Sequence, residues 1–189
     1  MTPSCAGLPL RWIAVAVLAA VALPLLVVHA ESKPNEKDLV KAEAHLSVDR
    51  LPAGSKCQIL IRLTVQPEWH IGANPPLNEE DVVTKVEWKG KLGSKLLQVK
   101  YPVGKKFTPE DGTPQLVYDG KVDIRGTLEI PADAGGSNEE MEIIVHYQAC
   151  NDKICRIPTT VKLAAKLPVA KPGEPVKQIN EKLFAPPPK

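Results

Sequence analysis

Residues 57–65 read Cys-Gln-Ile-Leu-Ile-Arg-Leu-Thr-Val, with an apolar side chain at every odd position. That is the period-2 signature of a half-buried β-strand. Val40, Ala42, Ala44, Leu46 and Val48 share one face in the same way. Further strand patterns cover residues 69–73, 82–88, 95–99, 116–130, 141–147 and 157–163, and no window carries a sustained helical period. Turn-forming sequence separates them, as in Leu51-Pro52-Ala53-Gly54, Asn74-Pro75-Pro76 and Pro109-Glu110-Asp111-Gly112. Roughly seven or eight short strands with frequent turns predict an all-β chain, an immunoglobulin-like antiparallel β-sandwich over residues 39–167.

The two ends follow different rules. Arg11 is the single charge ahead of an apolar run over residues 12–28, and Val28-His29-Ala30 offers small residues at an A-x-A-like site. Residues 1–30 therefore read as a signal peptide cleaved after Ala30. The alternative is a retained membrane anchor, although the run is short for a span of ~20 residues and Pro24 interrupts it. Cys5 precedes the run and no cysteine follows it as a lipidation site. Either reading places the rest of the chain outside the cytoplasm. Residues 31–38 form a polar N-terminal segment. Residues 168–189, with six prolines and little apolar pattern, read as an extended, disordered tail.

Charge narrows the partners. The chain has 24 basic and 22 acidic residues, and the leader removes only Arg11. A balance so close to neutral gives no basis for nucleic-acid binding or for a polybasic membrane contact.

Of four cysteines, Cys5 lies in the leader, leaving Cys57, Cys150 and Cys155. An odd and small number does not suit a disulfide-stapled scaffold. Cys150 and Cys155 flank Asn151-Asp152-Lys153-Ile154, a turn-forming loop between strand-like segments, so they can face each other across a hairpin and form a disulfide. A bridge closing so small a loop removes only about 2 kcal/mol of chain entropy. Lys153 and Arg156 favour a thiolate nearby and Asp152 opposes it. Position alone leaves a redox pair and a structural bridge both open. The faces also conflict, because Cys150 is out of phase with Met141, Ile143, Val145 and Tyr147, whereas Cys155 is in phase with Ile157, Val161 and Leu163. A bulge, or a register break at Pro158, is expected beside the cysteines.

Other residues carry plainer readings. Cys57 shares the inward face with Ile59 and Ile61 and is expected to be a buried, inert thiol. His146 lies four residues before Cys150, about 13 Å along an extended strand, too far to act as its base. His70 is expected to pack a loop. Paired thiolates with a histidine suit Cu(I), which keeps copper handling as a reading, although Met141 is the one methionine outside the leader. No cofactor-binding or metal motif stands out.

Residues 147–155, Tyr-Gln-Ala-Cys-Asn-Asp-Lys-Ile-Cys, followed by Pro158, resemble the active-site segment of the N-terminal domain of the thiol:disulfide interchange protein DsbD family. Trp69-His70-Ile71-Gly72-Ala73-Asn74-Pro75-Pro76 resembles that family's early strand and loop, and Val117-Tyr118-Asp119-Gly120 falls where the family carries a cap loop. The likeness spans roughly residues 40–165. It implies a periplasmic immunoglobulin-like domain that accepts reducing equivalents from a thioredoxin-like donor and passes them to disulfide-bearing substrate proteins. By position, Cys155 would form the mixed disulfides, Cys150 would close the intramolecular bridge, and Val117 and Tyr118 would belong to the cap. Full-length family members continue into a multi-span membrane domain and then a thioredoxin-like domain. This sequence stops at Lys189, so the expected donor is another protein. The alternative function is a non-enzymatic binding module with a static disulfide.

Overall fold

In the computed structural model, residues 39–110 and 112–185 are described. The expected signal peptide and the polar segment 31–38 lie outside them. The described chain forms eleven strands. They are β1 (Val40–Leu46), β2 (Lys56–Val65), β3 (His70–Gly72), β4 (Lys85–Gly90), β5 (Lys95–Lys100) and β6 (Lys105–Phe107), then β7 (Gln115–Tyr118), β8 (Lys121–Glu129), β9 (Asn138–Tyr147), β10 (Ala149–Cys150) and β11 (Thr159–Pro168). One helical turn, α1 (Glu181–Phe184), follows.

The strands make three antiparallel sheets, β1-β2-β8-β5, β11-β9-β4 and β10-β3-β7-β6. The first two face each other as the sandwich, with β1 beside β11 and β4 beside β5 at its edges. Alternation sets the core. Ile59, Ile61 and Leu63 of β2, Ile124 and Leu128 of β8, and Ile143 and Val145 of β9 are all essentially inaccessible. Full burial of one such side chain stabilises the fold by about 1.5–3 kcal/mol. On the outer face of the first sheet Arg62 opposes Asp123, and the pair makes two 2.7 Å bonds.

The third sheet covers one end of the sandwich, and the chain enters it by changing sheets. The expected run 116–130 divides at Asp119-Gly120, where Gly120 takes φ 58°. Before this turn the chain is β7 of the third sheet, and after it β8 of the first. A second change occurs at Gln148, between β9 and β10.

The C-terminal segment corrects the expectation of a disordered tail. Val169 and Ala170 are buried. The chain then runs back along the 47–51 segment through backbone bonds from Asp49 N–H to Lys177 and from Ile179 N–H to Ser47. Asn180 donates to the Leu46 carbonyl and Arg50 pairs with Glu174. Proline-rich sequence lacks period, but its donors and carbonyls are still available to the neighbouring strand ends, and those bonds fix it. Residues 186–189 lie outside the described chain.

Candidate redox site

Cys150 and Cys155 are joined by a disulfide, with Cα atoms 4.0 Å apart. They form an isolated antiparallel bridge at the mouth of a four-residue loop. Asn151 N–H donates to Ile154 O at 2.9 Å, and Arg156 N–H donates to Ala149 O at 2.8 Å. These bonds lie on either side of the cysteines, which places them at a non-hydrogen-bonded position, where opposed side chains come closest. Asn151 Oδ1 accepts from the N–H groups of Lys153 and Ile154, closing an Asx turn. Gln148 Nε2 donates to Arg156 O at 2.8 Å. The loop is thus held by hydrogen bonds as well as by its disulfide. Cys155 is exposed and Cys150 half-buried.

The expected register break is present. Tyr147 pairs with Thr159 in the β9–β11 ladder, so an unbroken ladder would set Cys150 opposite Arg156. It faces Cys155 instead. The shift arises where β10 leaves β9's sheet to pair with β3. Ala149 continues the inward phase of Tyr147 and is buried, and Cys150 therefore turns outward.

The floor of the site is the outer face of β10-β3-β7-β6. Cys150 lies directly opposite His70, and Ala149 opposite Ile71. Gly72 pairs with Val117 on the next ladder. A cleft of about 280 Å³ is lined by both cysteines, His70, Val117, Gln115 and Asp81. The segment 78–82 forms its other wall. Asp81 accepts from Asn78 N–H, and Asn78 Nδ2 donates to Pro114 O, tying that wall to the strand before β7. His70 is buried, and its ring lies 4.3 Å from that of Phe107, tilted by 45°. Burial lowers the tendency of His70 to protonate, while Asp152 and Asp119 pull the other way. Arg156 lies over the Trp69 ring at 5.6 Å.

Sequence-predicted residues separate here. Val117 shares the cysteine face. Tyr118, one residue on, belongs to the core and does not line the cleft. Its hydroxyl accepts from Asn74 N–H at 3.0 Å and is 2.9 and 2.8 Å from the carbonyls of Asn74 and Pro102. Cys57 is a free, buried thiol of the main core, and burial pushes it up to about 11. His146 lies on β9 beside Glu87, 3.4 Å away. Sequence reasoning missed His70 as a site residue, together with Phe107 and Gln115. The even spacing of His70 and Gly72 was legible, but the pairing of β3 with β10 was not. Among the described residues no group of three His, Cys, Asp or Glu side chains is placed to hold a metal, and no helix is long and apolar enough to cross a membrane.

Residues 36–167 match the family model of the N-terminal region of the thiol:disulfide interchange protein DsbD. No curated protein matches the chain. Among solved structures, the N-terminal periplasmic domain of ScsB from Proteus mirabilis shares 14% identity at a TM-score of 0.50. That match covers 81% of this chain and 54% of the ScsB chain, about half its length. The reduced DsbD N-terminal domain of Neisseria meningitidis is 18% identical, covering 77% of this chain and 94% of that one, with a TM-score of 0.45. A complex of the DsbD and PilB N-terminal domains from Neisseria meningitidis is 17% identical, covering 71% and 88%, with a TM-score of 0.41. At these identities the likeness concerns the fold.

Proposed function

The chain belongs to the family of the N-terminal domain of the thiol:disulfide interchange protein DsbD, and on that premise we propose that it is a periplasmic thiol–disulfide exchange module working through Cys150 and Cys155. The observation that carries this reading is the asymmetry of the pair, with Cys155 exposed at a loop tip and Cys150 half-buried behind it. An incoming thiolate reaches the exposed sulfur first. The donor's thiolate bonds to Cys155 Sγ, the Sγ–Sγ bond breaks, and its electron pair remains on Cys150. A second donor thiol then releases Cys155, leaving the donor oxidised and this domain with two thiols. In the forward half, the Cys155 thiolate attacks a substrate disulfide and expels one substrate thiol. Cys150 resolves the mixed disulfide, releasing the second thiol and reforming the Cys150–Cys155 bond.

The donor on this reading is a thioredoxin-like protein or domain, and the acceptors are exported proteins carrying disulfides. A purely structural bridge would add little, because backbone bonds and the Asn151 side chain already hold the loop. Trapping tests the assignment. Cys150→Ala should accumulate mixed disulfides through Cys155, and Cys155→Ala should not. If neither variant forms mixed disulfides with a reducible partner, the domain does not exchange.

A further inference from the structure

His70 has more in common with the cysteines than a shared sheet. In the β10–β3 ladder it is directly opposite Cys150, and it lines the same cleft as both sulfur-bearing residues. Opposed strand residues hold their Cβ atoms about 4.5–5.5 Å apart on one face. The imidazole is therefore the titratable ring adjacent to the half-buried cysteine. Phe107 packs on the ring at 4.3 Å and fixes its position.

We propose that His70 is the proton partner of Cys150 in thiol–disulfide exchange, a positioning and proton-holding residue for the sulfur that leaves and returns. The proposal rests on the exchange reading above. When a donor thiolate bonds to Cys155 Sγ, the departing electron pair lands on Cys150 Sγ inside the cleft. A bare thiolate there is partly desolvated and faces carboxylates. Asp152 and Asp119 act on the His70 ring, and Glu80 and Asp81 line the opposite wall. Of the cations in this region, Lys105 pairs with Asp119, Arg156 lies over the face of Trp69, and Lys153 is exposed in the loop between the cysteines. A proton taken from solvent by the imidazole and passed to Cys150 Sγ neutralises the leaving group. In the resolving step Cys150 gives that proton to the imidazole, which burial keeps neutral and able to accept it. The sulfur then bonds to Cys155 Sγ and the partner leaves as thiolate.

The test uses the full chain and dithiothreitol. Rates of Cys150–Cys155 reduction are measured from about pH 5.5 to 9 and divided by the dithiothreitol thiolate concentration. In the wild type the normalised profile should show an inflexion from the histidine. His70→Gln and His70→Phe should both lose the inflexion, with rates about tenfold lower at neutral pH. A readout on the wild type needs no variant to fold: the His70 imidazole is titrated by NMR in the disulfide and dithiol states, and its midpoint should move between them. Superimposable normalised profiles in folded variants, or an unmoved midpoint, would overturn the proposal. A wild-type disulfide that dithiothreitol does not open would sink the exchange reading itself, and His70's part with it. A reducible disulfide with an unchanged profile sinks only the role of His70.

Discussion

The carbonyl oxygen of Val82 occupies the space that a Cβ on Gly72 would need. Thr84 adds two bonds to the same strand end, donating from its N–H at 3.0 Å and from Oγ1 at 2.7 Å to Gly72 O. The wall of the cysteine cleft is therefore pressed onto β3 at the one residue that has no side chain to obstruct it.

Gly72→Ala should lower stability by about 3 kcal/mol, the upper part of the range for overpacking, because the opposing atom is backbone and has little freedom to move. The same variant should open the segment 78–82 and speed reduction of the disulfide by a small thiol. Urea unfolding and reduction kinetics read the two effects. Unchanged values in both would mean that the wall shifts freely.

Tyr118→Phe separates a core role from a cap role. The hydroxyl holds the Asn74 backbone and reaches the Pro102 carbonyl, so its loss should cost about 1–3 kcal/mol. The rate at which the disulfide is reduced should stay within about twofold of the wild type. Burial raises the phenol above its ordinary value. An acid whose folded pKa is raised keeps its proton in the folded state, so stability declines as pH rises above about 10, the unfolded value. In Tyr118→Phe that alkaline decline should be shallower, although burial raises Tyr147 too and it remains. Equal slopes would contradict the burial assignment.

These residues also mark where sequence pattern stops being informative. Period-2 alternation sufficed for β2 and β9, because each is long and has one face in the main core. It did not separate β7 from β8, since Tyr118 and Val122 keep the same inward phase on either side of the Asp119-Gly120 turn. Strands as short as β6 and β10 hold too few residues to show a period. The cysteine pair was legible from its loop, and its phase conflict announced a register break. The partnership of His70 with Cys150 depends on strands far apart in sequence, and no local pattern encodes it.

Removing residues after Pro168 should destabilise the sandwich. The deleted segment buries Val169 and Ala170 and donates backbone bonds from Val169 to Ser137 and from Ala170 to Leu51. Loss of that apolar area and those bonds should cost about 2–4 kcal/mol. Thermal unfolding of the truncated and full chains measures it. Equal melting temperatures would restore the view of this segment as a tail without structural weight.

Alkylation of the reduced protein orders the three cysteines of the described residues by environment. Thiolates react and thiols do not, so rate follows ionisation and access together. Cys155 is exposed, and Lys153 and Arg156 are close to it in sequence, which favours its thiolate. Cys150 is half-buried opposite His70, with Asp152 in the adjoining loop. Cys57 is closed inside the core with its thiol near 11, so at pH 8 only about a thousandth of it is ionised. Iodoacetamide at pH 8 should therefore modify Cys155 first, Cys150 second, and Cys57 only once the chain is unfolded, as read by peptide mass mapping over time. Labelling of Cys150 ahead of Cys155 would exchange their roles in the mixed-disulfide step. Labelling of Cys57 in the folded protein would show that the sheet around β2 opens on the timescale of the reaction.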